Sequence, residues 1–523
     1  MQGWRRQRRW VVVLVVGLLA PFLVTAGASS APTSSPAAAA PGATEAACGA
    51  KDLPETGTPG DVPLADQLSG RADHGYNCGL ALVGYSSLGR RGGNANMAWS
   101  GDCAYVAGDG VAIVDVHDPT HPRQVGTLHS AGSDASIETI NAIDAPGRSL
   151  LATGKYGLGG ATGEPGTAPV DIWDVHTCTH PKLLATIEFP ANVHNLTFTA
   201  DGKRLWSTLP LAAADLTDPR HPKLLPSIEG DIAAQGHFHL QYAHEAWPSP
   251  DNTRLYIGNQ IVADNQELLV LDTTGWPARS VHVMGSIPLP GHSIRSMTIN
   301  GKPYLLNSDE SIVNPTAKGC LPDALTPFGG ASRPFITDIS HPEQPEVAGM
   351  ISLPINDPIH CAEQVLSGVN ASVHYHDVDD PNHTTFAMLS MWNAGLRIYD
   401  VRHPDDPRPV AYFNPGRFGG NPFGGSVGIG TLLGLQSTNG LDQAWAHVRY
   451  RQDTGQIWLT TATGGFWVLE LEPQVRAALG LPAKPELHPH GAIPRPAATQ
   501  VQIGTVAATK ATTYCALSVA RVL

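Results

Sequence analysis

The chain has 523 residues, 42% of them hydrophobic and 15% charged, so it is long enough to bury a large core. Its formal charge of −13 argues against binding to the phosphate backbone of nucleic acids. The 55 glycines and 44 prolines follow no collagen period and indicate many turns. Helix signals are scarce, and short apolar runs bounded by Asp-Pro, Asn-Gly and Asp-Gly pairs predict strands.

The N-terminus has the features of a signal peptide. Arginines at positions 5, 6, 8 and 9 precede an apolar run from Val11 to Val24, and Ala26-Gly27-Ala28 offers a cleavage site. We expect residues 1–28 to be removed from a secreted, extracellular protein, which would take the formal charge from −13 to −17. An uncleaved signal anchor is the alternative. Residues 29–77 are expected to be a flexible Ala/Pro/Ser-rich linker and an N-terminal segment, and no later stretch predicts a membrane span.

Seven segments along the chain share one pattern, a short apolar run that ends in an acidic residue. They are "VAIVD" to Asp115, "VDIWD" to Asp174, "LAAAD" to Asp215, "LLVLD" to Asp272, "PFITD" to Asp338, "LRIYD" to Asp400 and "FWVLE" to Glu470. A proline turn and another apolar run follow several of them, and a hairpin signal precedes each. Each unit therefore predicts four strands, and units of this length are typical of propeller blades.

The predicted fold is all-β, a seven-bladed β-propeller of four-stranded blades over residues 78–473, followed by a C-terminal extension over 474–523. The seventh unit has no proline turn and no fourth strand of its own. Near the N-terminus, "CGLALVGYSSLG" looks like such a fourth strand. We therefore expect the strand from Leu80 to Ser86 to complete the last blade and close the ring, which removes the open edges.

Two of the units carry a family resemblance. "VAIVDVHDPTHP" and "LRIYDVRHPDDP" resemble the LVIVD-repeat proteins, a family of bacterial propellers, and the resemblance covers Cys78 to Pro473. It implies the architecture and leaves function to the site. A weaker resemblance, in the His-Glu pair followed by "PSPDNTRLYI", is to the selenium-binding and methanethiol oxidase propellers. That resemblance implies histidine-bound copper and extends only to His244 and Glu245.

Histidines recur where the first strand of a blade begins. Because the first strand lines the central channel, these side chains should meet at one mouth of it. Neutral imidazole binds copper, zinc and iron, so a cluster of this kind predicts a transition-metal site. The predicted ligands are His194, His244, His292, His374, His376 and His447, and the corresponding positions of the first two blades fall near Asn94 and Glu138. The residues expected around these ligands are His237, His239, Glu245, Asp309 and Glu310.

The seven cysteines suit an oxidising compartment and leave one unpaired if three disulfides form. Cys320 lies in an insert of the fifth unit that should reach the same mouth of the channel as Cys361, so we predict a disulfide between these two. Another pair of residues, Asp379 and Asp380, falls in a predicted hairpin turn and is expected to be solvated.

Two functions remain open at this point. The first is a secreted propeller that binds copper, zinc or iron at the channel mouth and acts on a small molecule, for example by oxidising it. The alternative is a metal-free extracellular module that binds a protein or glycan partner, since a repeat can also copy a histidine with a structural role. Neither the metal, the substrate nor catalysis is determined by the sequence.

Overall fold

The computed structural model describes residues 48–134, 136–156, 167–191, 193–237, 243–259, 267–289, 291–308, 333–418 and 440–484. The predicted signal peptide and most of the C-terminal extension lie outside these ranges. Within them, no helix has the length and apolar character needed to cross a membrane.

Seven antiparallel sheets form the blades of a ring, which confirms the predicted seven-bladed propeller. Blade one contains β3 (Met97–Ser100), β4 (Cys103–Val106), β5 (Val111–Asp115) and β6 (Arg123–Leu128). Blade two contains β7 (Ile140–Ala145), β8 (Arg148–Gly154), β9 (Ala168–Asp174) and β10 (Lys182–Phe189). Blade three contains β11 (Leu196–Phe198), β12 (Arg204–Ser207), β13 (Ala212–Asp215) and β14 (Lys223–Leu224). Blade four contains β15 (Ala243–Pro248), β16 (Arg254–Asn259), β17 (Glu267–Asp272) and β18 (His282–Ile287).

The remaining blades follow the same order along the chain. Blade five contains β19 (Ile294–Ile299), β20 (Lys302–Asn307), β21 (Phe335–Asp338) and β22 (Glu346–Met350). Blade six contains β23 (His376–Val378), β24 (Phe386–Ser390), β25 (Leu396–Asp400) and β26 (Arg408–Asn414), and β1 (Tyr76–Cys78) pairs with β26 as a fifth strand. Blade seven contains β27 (Arg449–Tyr450), β28 (Gln456–Thr461) and β29 (Gly465–Leu471), and β2 (Leu80–Ser86) pairs with β29.

The described helices are short. The α-helices are α1 (Leu64–Ser69), α2 (Glu229–Ala233), α3 (Cys361–Ser367) and α4 (Pro473–Ala478). Single 3₁₀ turns cover Arg71–His74, Leu88–Arg90, Pro354–Asn356 and Pro358–His360.

The acidic residue at the end of each third strand has a structural role. In six blades its Oδ1 accepts a hydrogen bond from the backbone N–H two residues later, which is the Asx-turn geometry. The pairs are Asp115–His117, Asp174–His176, Asp215–Thr217, Asp272–Thr274, Asp338–Ser340 and Asp400–Arg402, at 2.7–3.0 Å. The acidic end of the repeat therefore starts the turn that leads into the fourth strand.

The core lies between neighbouring blades. Leu150 and Ile172 of blade two, for example, share one buried cluster with Leu196 and Leu205 of blade three. Burying the apolar faces of adjacent blades against each other is the main stabilising contribution in a repeat architecture, because a single blade cannot cover its own faces.

Two disulfides join described cysteines, Cys48 with Cys78 and Cys103 with Cys178. Cys361 is also disulfide-bonded. Its predicted partner, Cys320, lies outside the described residues, so that pairing stays a prediction.

A candidate metal centre in the propeller channel

The backbone places the first-strand histidines in equivalent positions. In three blades the backbone N–H of the histidine donates to the carbonyl oxygen of the residue at or just after the end of the second strand of the same blade. These bonds join His194 to Thr208, His292 to Ser308 and His374 to Ser390, at 2.9, 2.7 and 2.9 Å. The repeated hydrogen bond fixes each Cα at the same height of the channel wall, so the side chains start from matching positions.

A ladder of hydrogen bonds then orients the imidazoles. His244 Nδ1 lies 2.7 Å from the carbonyl oxygen of His292, and His292 Nδ1 lies 2.8 Å from that of His374. His374 Nδ1 bonds in turn to the carbonyl oxygen of Trp445. A carbonyl oxygen only accepts, so each Nδ1 must carry the proton. In the neutral ring the lone pair is then on Nε2, the nitrogen that remains available to a metal.

The Nε2 atoms converge on a carboxylate supplied by blade two. Glu138 Oε2 lies 3.9 Å from His194 Nε2 and 3.7 Å from His244 Nε2. The other oxygen, Oε1, lies 4.0 Å from His374 Nε2. Glu138 is 7% exposed, and His194, His244, His292 and His374 are at most 3% exposed. The cluster is therefore enclosed by protein.

Two sets of three ligand atoms within this cluster have the proximity that a metal ion requires. One set is Glu138, His194 and His244, and the other is Glu138, His292 and His374. Within each set the ligand atoms lie within 4.8 Å of one another. His194 Nε2 and His244 Nε2 are only 2.6 Å apart. Since His244 Nε2 carries a lone pair, His194 donates the proton between them. A cation that bound both nitrogens would replace that proton and hold them further apart, because each would lie about 2.0–2.1 Å from the ion.

Tyrosine hydroxyls hold the carboxylate in place. The hydroxyl of Tyr375 donates to Glu138 Oε2 at 2.6 Å and accepts from Asn195 Nδ2 at 3.0 Å. The hydroxyl of Tyr156 donates to Glu138 Oε1 at 3.2 Å. Each carboxylate oxygen thus accepts a hydrogen bond from one tyrosine and has at least one histidine Nε2 within 4.0 Å.

The electrostatics of the cluster favour neutral imidazoles at His244 and His292 and an ionised carboxylate at Glu138. Burial lowers the pKa of His292 to about 4, and burial together with the other imidazoles lowers the pKa of His244 well below 6.5. Burial alone would raise the pKa of Glu138, but His374, His194 and His292, together with the Tyr375 hydroxyl, bring it below its usual value. These are the protonation states in which the groups bind metals.

A charged layer lies next to the cluster along the channel. Arg295 Nη1 donates to Glu245 Oε1 at 2.9 Å, and its Nε donates to Asp377 Oδ1 at 2.7 Å. Its guanidinium also contacts the ring of His447 and stacks on Trp247, with Cζ 3.7 Å from the ring centroid. Burial alone would lower the pKa of Arg295, but Asp377 and Glu245 raise it above its usual value. This layer is an ion-pair network in which each guanidinium nitrogen of Arg295 already has a partner.

The predicted ligands therefore divide between two layers. His194, His244, His292 and His374 meet at Glu138, whereas His447 contacts Arg295 and Asp377. His376 directs Nε2 to the carbonyl oxygen of Ser293 at 3.0 Å. His376 and His447 are thus not part of either set of three.

The residues expected around the ligands also separate. Glu245 belongs to the Arg295 network. His237 pairs with Glu267, with Nδ1 2.9 Å from Oε1, and lies partly exposed. His239, Asp309 and Glu310 lie outside the described residues.

Sequence reasoning missed Glu138 and Tyr375 as parts of the site. Glu138 occupies in blade two the position that a histidine occupies in the later blades. The repeat therefore identifies the position, but Glu138 was not predicted as a ligand because it is not a histidine. Tyr375 lies between His374 and His376 in "SVHYHDV", and only the two histidines of this segment were predicted as site residues. A better signal is a polar residue of any type at the repeated position.

The fold and this cluster together define a β-propeller with a histidine–carboxylate site in its channel. A family model described as the LVIVD repeat matches residues 92–129, the region of blade one. The chain therefore carries an LVIVD repeat within a seven-bladed propeller. No curated protein matches the chain.

Two solved structures illustrate the similarity in shape. The β-propeller domain of Cps50 (Swd1) from Myceliophteria thermophila shares 13% identity with a TM-score of 0.46, over 73% of this chain and 97% of that one. A chain of a structure titled as the Mitotic Checkpoint Complex shares 10% identity with a TM-score of 0.43, over 82% of this chain and 99% of that one.

Proposed function

We propose that this protein is an exported metal-binding propeller that holds a transition metal through His194, His244, His292, His374 and Glu138. The observation that carries the proposal is the ladder of Nδ1–H bonds to backbone carbonyls in the next blade. Metal-ligating histidines characteristically donate their second nitrogen in this way, which fixes the ring and directs Nε2 at the ion. Imidazole and carboxylate together suit zinc, copper or iron.

The chain's own residues would prepare the site for such an ion. The Nδ1 bonds fix the tautomers of His244, His292 and His374, and the two tyrosines orient the carboxylate. Burial keeps His244 and His292 neutral at pH 7. A bound ion of this kind would supply Lewis-acid or redox chemistry for a reaction of a small molecule, such as an oxidation.

Export is part of the proposal. It is supported by the signal-peptide features of residues 1–28 and by the disulfides Cys48–Cys78 and Cys103–Cys178, a bond type that persists in oxidising compartments.

The test is the metal content of the full chain, exported and purified without a histidine tag, compared with His244→Asn. Asparagine places an amide where Nδ1 stood, so it can keep the bond to the His292 carbonyl while removing Nε2. We expect near-stoichiometric copper, zinc or iron in the wild type. In the variant, the affinity for the same ion should fall more than tenfold, which is about 1.4 kcal/mol or more.

The matched control is His221→Ala, because His221 is an exposed turn histidine paired only with Asp218. It should keep the wild-type metal content. Circular dichroism must show that His244→Asn is folded, and His194→Asn serves if it is not. Folded wild-type protein that neither contains metal nor takes up Cu²⁺ or Zn²⁺ would contradict the proposal and favour the metal-free module that binds a protein or glycan.

A further inference from the structure

We infer that the cluster is built for two metal ions that share the Glu138 carboxylate, one held with His194 and His244 and the other with His292 and His374. The inference rests on the proposed metal binding and adds the number of ions and the division of the ligands. It follows from how the five ligand residues group in space.

The distances between ligand atoms favour two ions over one. Ligand nitrogens and oxygens lie about 2.0–2.2 Å from a transition metal, so two ligands of one ion are at most about 4.4 Å apart. The five groups form two sets of three within 4.8 Å, with only Glu138 in common. In the first set the three distances are 2.6, 3.9 and 3.7 Å, all within the reach of one ion, and the two histidine pairs are not combined in a single set.

The carboxylate is oriented for sharing. Its Oε2 faces His194 and His244, at 3.9 and 3.7 Å, and its Oε1 faces His374 at 4.0 Å. Tyr375 fixes the first oxygen and Tyr156 the second. A carboxylate serving one ion would need only one oxygen directed at the nitrogens, whereas here each oxygen has its own histidine partners.

The number of ligands agrees with this division. Two histidines and one carboxylate are the protein ligands of a three-ligand metal site that keeps an open position. Two such sites use all five residues and leave each ion a position for a small molecule. A single four-coordinate ion could use at most four of the five residues and would leave one buried polar group unused.

The experiment is a titration of the full-length, chelator-treated protein with Zn²⁺ and, separately, Cu²⁺, followed by calorimetry and by electron paramagnetic resonance for Cu²⁺. The wild type should take up two equivalents. His194→Asn and His374→Asn should each take up one, because each variant loses a different site. The copper-loaded wild type should show magnetic coupling between two ions, and each variant should show an isolated Cu²⁺ signal.

His376→Asn is the control, since His376 is equally buried and lies in the same segment as His374 but belongs to neither set. It should keep two equivalents. One equivalent in the wild type that both His194→Asn and His374→Asn abolish would overturn the two-ion arrangement and leave the proposed metal binding intact. No uptake of either ion by folded wild type would overturn both.

Discussion

Glu138 supplies the negative charge that a cation bound among the four neighbouring imidazoles would need. Without it the carboxylate that still acts on the cluster would be Glu245, which is already paired with Arg295, so a bound metal ion would be poorly compensated. Its own burial is offset by the Tyr375 and Tyr156 hydroxyls. The same reasoning explains why Arg295 does not disturb the cluster, because Glu245 and Asp377 already neutralise it.

At the residue scale the hairpin after β23 differs from expectation. Asp379 and Asp380 were predicted to be solvated, but Asp379 is only 8% exposed, so that prediction was wrong for this residue. Its Oδ1 accepts hydrogen bonds from the backbone N–H groups of Thr385 and Phe386, at 2.9 and 3.1 Å. The carboxyl group closes its own turn, and this draws it out of solvent. Turn composition alone does not distinguish a carboxylate that faces water from one that folds back onto the turn.

Asp379 predicts a measurable dependence of stability on pH. Burial raises its pKa from 3.8 to about 6. Between these values the folded state keeps a proton that the unfolded state has released, so the free energy of unfolding falls as pH rises from 3.8 to 6. The loss amounts to about 3 kcal/mol at pH 7, since one unit of pKa is about 1.36 kcal/mol.

Asp379→Asn removes this ionisation while keeping an oxygen acceptor for the two backbone groups. Urea unfolding should therefore show a variant close to the wild type at pH 4 and more stable than it at pH 7, by up to about 3 kcal/mol. The exposed Asp405, changed to asparagine, gives the baseline for removing one negative charge. A difference between Asp379→Asn and wild type that does not grow with pH would contradict the burial argument.

At the element scale the blades interlock through their fourth strands. Six of these strands carry a bulge at the same place, and a glycine or alanine follows it. The proline turn of the next blade packs against that small residue in several blades. A Cβ at Gly84, Gly285 or Gly349 would lie 2.1, 2.4 or 1.8 Å from the carbonyl oxygens of Pro119, Pro342 and Pro404. The repeat thus specifies contacts between blades as well as strands within them.

Gly349→Ala should therefore destabilise the propeller. The added methyl group would meet the backbone of Pro404 in blade six, so strand or turn must shift, and overpacking of this kind costs about 1–3 kcal/mol. Gly126→Ala is the matched control, because Gly126 follows the bulge of blade one and a Cβ there would find its nearest atom, Ile113 Cδ1, at 3.4 Å. Thermal unfolding should separate the two variants clearly, and equal midpoints would refute the interlock.

The strands were predictable because the same sequence pattern recurs in seven units of the chain. The apolar runs, the acidic residue and the proline turn each match a local cause, such as the Asx turn that begins at Asp115. The segments that form the bulge and its small residue are "QVGTL", "HVMGSI" and "EVAGMI" in the sequence. The small residue is needed because the next blade packs against it, and a local sequence pattern does not predict that contact. The histidine cluster was hard to predict for the same reason. His374 and His376 lie in one segment, but the imidazole of His374 reaches blade seven and that of His376 reaches blade five.

At the scale of the whole molecule, residues near both ends of the described chain meet on blades six and seven. β2 pairs with β29 from Leu80 opposite Leu471 to Ser86 opposite Phe466, so blade seven combines strands from both ends. Before it, β1 extends blade six. Glu55 forms an ion pair with Arg397 of β25, and the side chains of both are only 4% exposed. The N-terminal segment is thereby attached to the ring by strands, an ion pair and the Cys48–Cys78 disulfide.

The channel has different surroundings at its two ends. The histidine–carboxylate cluster lies where the first strands begin, and the Arg295 network lies beneath it. At the opposite end, beside the hairpin turns that follow the first strands, is a cavity of about 610 Å³ lined by Trp99, Trp247 and Asp377. The rings of Tyr375 and His447 are tilted by 39° with their centroids 4.1 Å apart, so the side chains of the two layers are in direct contact along the channel.

The central claim is that a transition metal binds among His194, His244, His292, His374 and Glu138. The most direct test is anomalous X-ray diffraction on both sides of the metal absorption edge, from crystals of the exported, untagged protein supplied with Cu²⁺ or Zn²⁺. We predict anomalous density enclosed by the four Nε2 atoms and the Glu138 carboxylate. Density found only at exposed turn histidines such as His121 and His221, with none in the channel, would contradict the claim.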